Sequence, residues 1–596
     1  MTTASAMWIL YAASAVTCGA ALWPDSKINL VIRATSASFL KLGCRRPLAA
    51  ALLFVSVFAI RLGLLPLLPV PTPGIHDEFG YLLQADTFCH GRLANPTHPL
   101  WRNFETFHVN FFPTYSSMYP PAQGAFLALG ELVGEPWFGV LLSDALMCAA
   151  IYWALCVWMP PRWAFLAGWL ALGRLCVTTY WVNSFWGGAA GAIGGALVLG
   201  AFGRILRKPH AGNAIVLGIG ISLLSNSRPL EGLIFCLPVA AVFLYWLAGR
   251  TRRAGTPKER IQKVLLPLVV VLFANFAFIG YYNWRLTGSA LEFPELMSSR
   301  KFDVGSIFLW QKPQPPREYS NDQFDDFYNH WERELYNRTW PSFKEVMITK
   351  IHRLRVTFGW WALLCAIPGI PYLFRRKRFH LPLVCLLFVT AGVFILTWSY
   401  PHYFAPATVV FYGCAALAIR GTYRWRPRKF HLGALLSRLA VLGLILEVAV
   451  MALTANADAL QWGGVRLPGR VAVEKKLDAS PGKHVVLVRY SDEHSPHDEW
   501  VYDRANIDAS KVIWARFLSP ELNRQLAVYY RDRQIWVVNA DENPPRLHPY
   551  NAPYRKPGEP DAPTAFRFSA GALRNASAVQ QPRRPGLDKA ALPPSS

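Results

Sequence analysis

Apolar runs of about 20 residues follow one another along most of this chain, and no other feature constrains its fold so strongly. A helix of that length crosses the hydrocarbon core of a bilayer. Such runs lie near residues 6–23, 47–70, 137–158, 162–181, 186–204, 213–227, 229–248, 264–282, 357–374, 381–398, 402–419 and 433–454. The first has no basic segment ahead of it and is followed by Lys27, Arg33, Lys41, Arg45 and Arg46, so it reads as a span with its N-terminus outside, not as a cleaved signal. Hydrophobic residues make up 53% of the 596 positions and charged residues only 16%. The expectation is an α-helical polytopic membrane protein with about twelve transmembrane helices.

The formal net charge of +24 does not point to nucleic acid, because the basic residues sit in short clusters between apolar runs. "RILRKPH" (204–210), "GRTRRAGTPKERIQK" (249–263), "RRKRFH" (375–380) and "RGTYRWRPRKFH" (420–431) all fall on one side under this assignment. Lys and Arg collect in cytoplasmic loops, so that side is inside. Both termini then lie outside, with the loops 71–136 and 283–356. The 10 cysteines form no CxxC pair and are absent after Ala455, which supports neither a disulfide framework nor a zinc ribbon.

The chain divides into a membrane domain, 1–454, a soluble outside domain, 455–541, and a tail, 542–596. The middle piece alternates strand-like runs ("HVVLVRY", "QIWVVN") with a polar helical stretch ("SPELNRQLAVYY"), the pattern of a small α/β domain. The last piece is rich in Pro, Ala and Ser, a composition expected to stay disordered.

Where the chain leaves its second span it reads "GIHDEFGYLL", with His76, Asp77 and Glu78 in a row. Acidic residues in the first turn of a helix gain about 0.3 to 1 kcal/mol from the helix dipole, so the pair has a capping explanation. Its position suggests a second one: a carboxylate on an interfacial helix lies where the head group of a lipid-linked substrate rests, and there it can act as a general base. Charges inside spans are functional suspects. Asp144 and Arg174 lie at similar depths in neighbouring spans and are expected to form a structural ion pair.

An apolar span, an outside Asp-Glu (Asp77, Glu78), Tyr81, then "YPPAQG" with Tyr119, Pro120 and Pro121, and a late "HYFAP" (His402 to Pro406) together resemble the GT-C membrane glycosyltransferases. The nearest branch is that of the protein O-mannosyltransferases and the lipid A aminoarabinose transferases, the family 39-like enzymes. The likeness covers roughly the first 420 residues in architecture. Two positions depart from it: Tyr119 stands where the family has a basic residue or His, and His402 where it has an Arg.

The resemblance implies an inverting transfer of a sugar from a polyprenyl-phosphate donor to a hydroxyl of a lipid, glycan or protein acceptor on the outer face. Asp77 is then the base, with Glu78 beside it. Arg228 in "SNSRPLEG", Arg285 in "YYNWRLTG" and His402 are candidates for the donor phosphate, with Arg300 and Lys301 behind them; Tyr81, Tyr119 and Tyr403 would line the substrate. The implied setting is a bacterial inner membrane with the active face toward the periplasm. No cofactor is implied. A divalent ion held by His76, His98 and Asp77, or by "SDEHSPHDEW", is a remote option. The competing reading is a transporter or flippase for a lipid-linked or envelope glycan, which predicts inverted repeats and broken helices at the membrane midplane.

Overall fold

The computed structural model describes residues 34–550, apart from 35–36, 40, 251–254, 334–339, 360, 428–431, 455–462 and 465. Prolines set where helices begin. Pro121–Glu131, Pro136–Leu155, Pro161–Leu175, Pro229–Leu247, Pro294–Phe302, Pro468–Ala479 and Pro520–Tyr529 all start on one. At a helix N-terminus the missing N–H has no intrahelical acceptor to lose, and the fixed φ already suits the helix.

Among the described residues seven helices are long and apolar enough to cross a membrane: Arg46–Gly63, Pro136–Leu155, Pro229–Leu247, Pro257–Thr287, Lys377–Ile395, Pro401–Arg424 and Leu432–Val450. An eighth is added if Phe343–Phe358 and Ala362–Phe374, bent by 96°, form one span. The chain is a multi-pass membrane protein. The expected first span lies outside the described residues. The expected straight span 357–374 is instead this bent pair, broken at Gly359 and carrying Pro368 and Pro371 beyond the break. Its first helix, Trp340–Phe358, begins well inside the expected outside loop.

Three expected spans, 162–181, 186–204 and 213–227, are the shorter helices Pro161–Leu175, Ala189–Ile205 and Ala211–Ser225. A helix of 15 residues rises only about 22 Å. The segment 176–188 between the first two is irregular yet almost wholly buried, as non-helical backbone at membrane depth must be. Its polar groups are met by protein: Asn183 Oδ1 accepts from the buried Arg61 at 2.8 Å, and Trp137 donates to the Val182 carbonyl at 2.8 Å. Glycine admits a close neighbour at Gly195, where a Cβ would stand 2.0 Å from the Pro406 carbonyl oxygen. That approach seats the segment Pro401–Ala407 against Ala189–Ile205.

After the spans, β3 (His484–Arg489), β4 (Val512–Arg516) and β5 (Gln534–Asn539) pair in parallel in the order β4-β3-β5. The strand β6 (Leu547–Pro549) adds antiparallel to β5, so the sheet runs past Asp541, where the sequence was expected to turn disordered. Residues 551–596 of the expected tail lie outside the described residues. Val485, Leu487, Ile513 and Ala515 of the sheet share one core with Phe79, Leu83, Phe104, Val109 and Tyr115 of the first outside loop. That loop also holds a short hairpin, β1 (Val109–Asn110) with β2 (Ser116–Ser117). Arg516 ties the pieces together: it pairs with Glu499 at 2.6 Å, donates to the Glu105 carbonyl at 3.0 Å and reaches Gln323 in the second outside loop at 3.1 Å.

Candidate functional site

Asp77 and Glu78 are neighbours on the helix His76–Cys89, but consecutive helical residues point about 100° apart, and the two carboxylates have different surroundings. Glu78 is 1% exposed. It accepts from the backbone N–H groups of Gly74 (2.8 Å), Ile75 (3.1 Å) and Phe185 (3.1 Å), so it caps its own helix and holds the buried segment 176–188 against it. Burial pushes its carboxyl up to about 7 although those three N–H groups pull the other way. Glu78 thus serves as the helix cap that its first-turn position suggested, with its carboxylate taken up by backbone N–H groups.

Asp77 is half-buried and accepts a hydrogen bond from the Tyr119 hydroxyl at 2.6 Å. Tyr119 stacks on Tyr81 with ring centroids 4.4 Å apart. Tyr81, Tyr400, Tyr403 and His108 all lie within reach of the Asp77 charge. Burial holds the His108 imidazole below its usual range, against the pull of Asp77 and Asp303. His108 also has φ of 61°, a left-handed backbone that few non-glycine residues adopt and one that gathers at functional sites.

Arg228 approaches the same tyrosines from another element. It precedes the helix Pro229–Leu247, and its guanidinium lies over the Tyr403 ring at 4.6 Å, within charge reach of Tyr81, Glu231 and Glu295. Among the described residues no carboxylate comes within ion-pair distance of it and its side chain makes no hydrogen bond. A planar fork of five donors is thus held at Tyr403, within charge reach of the Tyr81 that also senses Asp77, with its hydrogen-bonding capacity unspent. Arg353, on Trp340–Phe358, supplies a second cation: it donates to the Ser399 carbonyl at 3.4 Å and lies over Tyr400 at 5.0 Å. His402 is buried, with Nδ1 2.9 Å from the Tyr180 hydroxyl, and its ring stacks parallel to Tyr400 at 5.8 Å.

The chain is similar in structure to the archaeal oligosaccharyltransferase AglB of Archaeoglobus fulgidus in complex with an inhibitory peptide and a dolichol-phosphate, at 15% identity over 82% of this chain and 69% of that one, with a TM-score of 0.45. It is also similar to ArnT from Cupriavidus metallidurans bound to undecaprenyl phosphate, at 12% identity over 82% of this chain and 92% of that one, with a TM-score of 0.49. No protein-family model and no curated protein sequence matches the chain.

Of the expected site residues, Asp77, Tyr81, Tyr119, Arg228, His402 and Tyr403 converge. Arg285 does not: it is exposed near the end of Leu266–Thr287, and no hydrogen bond, ion pair or ring contact joins it to the others among the described residues. Arg300 pairs with Glu292 at 3.2 Å and Lys301 with Glu105 at 3.4 Å. The expected Asp144–Arg174 ion pair is not formed. Arg174 turns to the carbonyls of Val356 and Thr357 at the end of Trp340–Phe358, while Asp144 is 0% exposed with both carboxyl oxygens lacking a hydrogen-bond partner.

The remote metal sets also separate. His76 lies 2.7 Å from the Pro496 carbonyl and stacks on Phe107, while His98 is beside Asp508 and Tyr530. In the C-terminal domain His494 contacts Asp541 at 2.6 Å and Glu499 is paired to Arg516. Among the described residues the one group with ligand atoms close enough to share an ion is Asp325, Asp326 and His330, a partly exposed acidic cluster. Sequence reasoning missed His108 and Arg353. The signal for Arg353 was present in "KIHRLRVTF", a basic run that leads into an apolar one at the end of the expected loop 283–356.

Proposed function

We propose that this chain transfers a sugar from a polyprenyl-phosphate donor to a hydroxyl acceptor on the outer face of the membrane, with inversion at the anomeric carbon. The observation that carries this reading is one half-buried carboxylate, held by a tyrosine hydroxyl, in the same tyrosine cluster as an arginine that makes no side-chain hydrogen bond or ion pair among the described residues. In the step, the acceptor oxygen forms a bond to the anomeric carbon and its proton passes to Asp77. The bond from that carbon to the phosphate oxygen breaks, and polyprenyl phosphate leaves with the electron pair. Arg228, with Arg353 behind it, meets the charge that develops on the leaving phosphate, where a preorganised cation acts most strongly. Tyr119 fixes the Asp77 carboxylate, and Tyr81 and Tyr403 flank the sugar.

In this reading the outside is the periplasm of a bacterium, and the acceptor is a lipid, a glycan or a protein. The test is the stereochemistry of one turnover. Purified protein is given polyprenyl-phosphate sugars of known anomeric configuration, and the product is read by NMR. A product of opposite configuration supports a single displacement with Asp77 as base; retained configuration, or donors left intact with every acceptor class, contradicts it.

A further inference from the structure

A cavity of about 700 Å³ opens at the end of the helix bundle away from Asp77. Two helices fix that placement. Pro401–Arg424 carries Tyr403 at the site end and Arg420 at the other, and Pro136–Leu155 leads from the outside loop to Val157 and Met159 in the cavity wall, about 30 Å away at 1.5 Å per residue. Six cations line the cavity, Arg207, Arg375, Arg376, Lys377, Arg378 and Arg420, and no acidic residue does. Its remaining wall is largely apolar, with Trp158, Met159 and Leu417.

The basic loop is held in place. Phe379 is fully buried, and Arg376, Arg420 and Arg424 gather over the one Tyr372 ring at 4.4, 5.6 and 5.7 Å. Arg375, Arg376, Lys377, Arg378 and Arg420 make no ion pair among the described residues. Beside the cavity Phe374, Tyr423 and Trp425 expose their rings, as aromatic residues do at a membrane interface.

We propose that this cavity binds the phosphate of an anionic ligand, and that the ligand is an acidic phospholipid of the leaflet opposite the candidate active site. A cluster of like charges around a concave wall needs counter-charge, and among the described residues no carboxylate pairs with Arg375, Arg376, Lys377, Arg378 or Arg420. A phosphodiester headgroup meets the guanidinium forks, and its acyl chains lie along the apolar wall and the exposed rings. Free phosphate offers the same anion without chains, so the apolar side of the cavity favours the lipid.

Native mass spectrometry of the full-length protein, delipidated and offered phosphatidylglycerol, cardiolipin or phosphatidylcholine, tests this. Wild type retains an acidic lipid at least 10-fold more tightly than phosphatidylcholine. The exposed triple variant R375Q/K377Q/R378Q loses that preference, while K258Q/R260Q/K263Q, which removes equal charge outside the cavity at the same end of the bundle, keeps it. An excess of inorganic phosphate does not displace the lipid. The proposal is overturned if wild type shows no preference, if both triple variants lose it equally, or if phosphate displaces the lipid and binds the delipidated protein alone. Because the wild-type lipid comparison needs no variant, a folding defect in either triple leaves the question decidable.

Discussion

At the residue scale the two adjacent carboxylates illustrate how little a motif says about roles. "HDE" reads the same for either residue, but the buried Glu78 faces three backbone N–H groups and the half-buried Asp77 faces a tyrosine hydroxyl. Arg228 gives the sharper prediction. A lysine keeps the charge and loses the planar fork, so R228K should raise the donor KM several-fold, and R228A should raise it at least 10-fold with the fold intact by thermal melting. Equal KM values in all three proteins would remove Arg228 from the donor site. Asp77, Arg228 and Tyr403 were legible because each stood near an expected outer end of a span, and Tyr119 through the "YPPAQG" of the loop 71–136. His108 was not legible, since it lies in an irregular loop whose left-handed turn leaves no periodic trace.

At the element scale, proline starts and apolar length located most helices, but length alone could not reveal that 176–188 is irregular and buried. The segment mixes aromatic and apolar residues with Thr178, Thr179, Asn183 and Ser184, and its non-helical path is supported by polar partners from Arg61, Gln123, Trp137 and Glu78. Glu78 links this segment to pH. Its ordinary value is 4.5 and its folded value about 7, so the folded state holds the proton more tightly, and stability falls as pH rises from about 4.5 through about 7. E78Q should flatten part of that slope in melting temperature against pH; an unchanged slope would place the titration elsewhere. The Asp144–Arg174 expectation failed because depth from span ends fixes height in the membrane but not which way a side chain turns. D144N replaces a buried carboxyl that has no ion-pair or hydrogen-bond partner among the described residues and should leave the melting temperature unchanged or raise it. R174Q should lower it, because carbonyls of Trp340–Phe358 lose their donors. The reverse order would restore the ion-pair reading.

For the whole molecule, the loops 71–136 and 283–356 and the C-terminal sheet are joined by shared core residues and by Arg516. The sequence announced the sheet through its strand-like runs, yet nothing in it paired β3 and β4 with a loop some 400 residues upstream. Removing Arg516 leaves Glu499 as an unpaired buried charge, which costs about 3 to 5 kcal/mol. R516A should therefore melt well below wild type and lose protease resistance in both outside loops as well as in the sheet; damage confined to the sheet would contradict the shared core. The central claim is that Asp77 takes the acceptor proton. It is tested most directly by giving wild type and D77N one labelled polyprenyl-phosphate sugar and measuring donor binding and release of polyprenyl phosphate separately. The account predicts unchanged binding and release slowed by about 10² to 10⁴. Release at the wild-type rate by D77N, with binding intact, would contradict it.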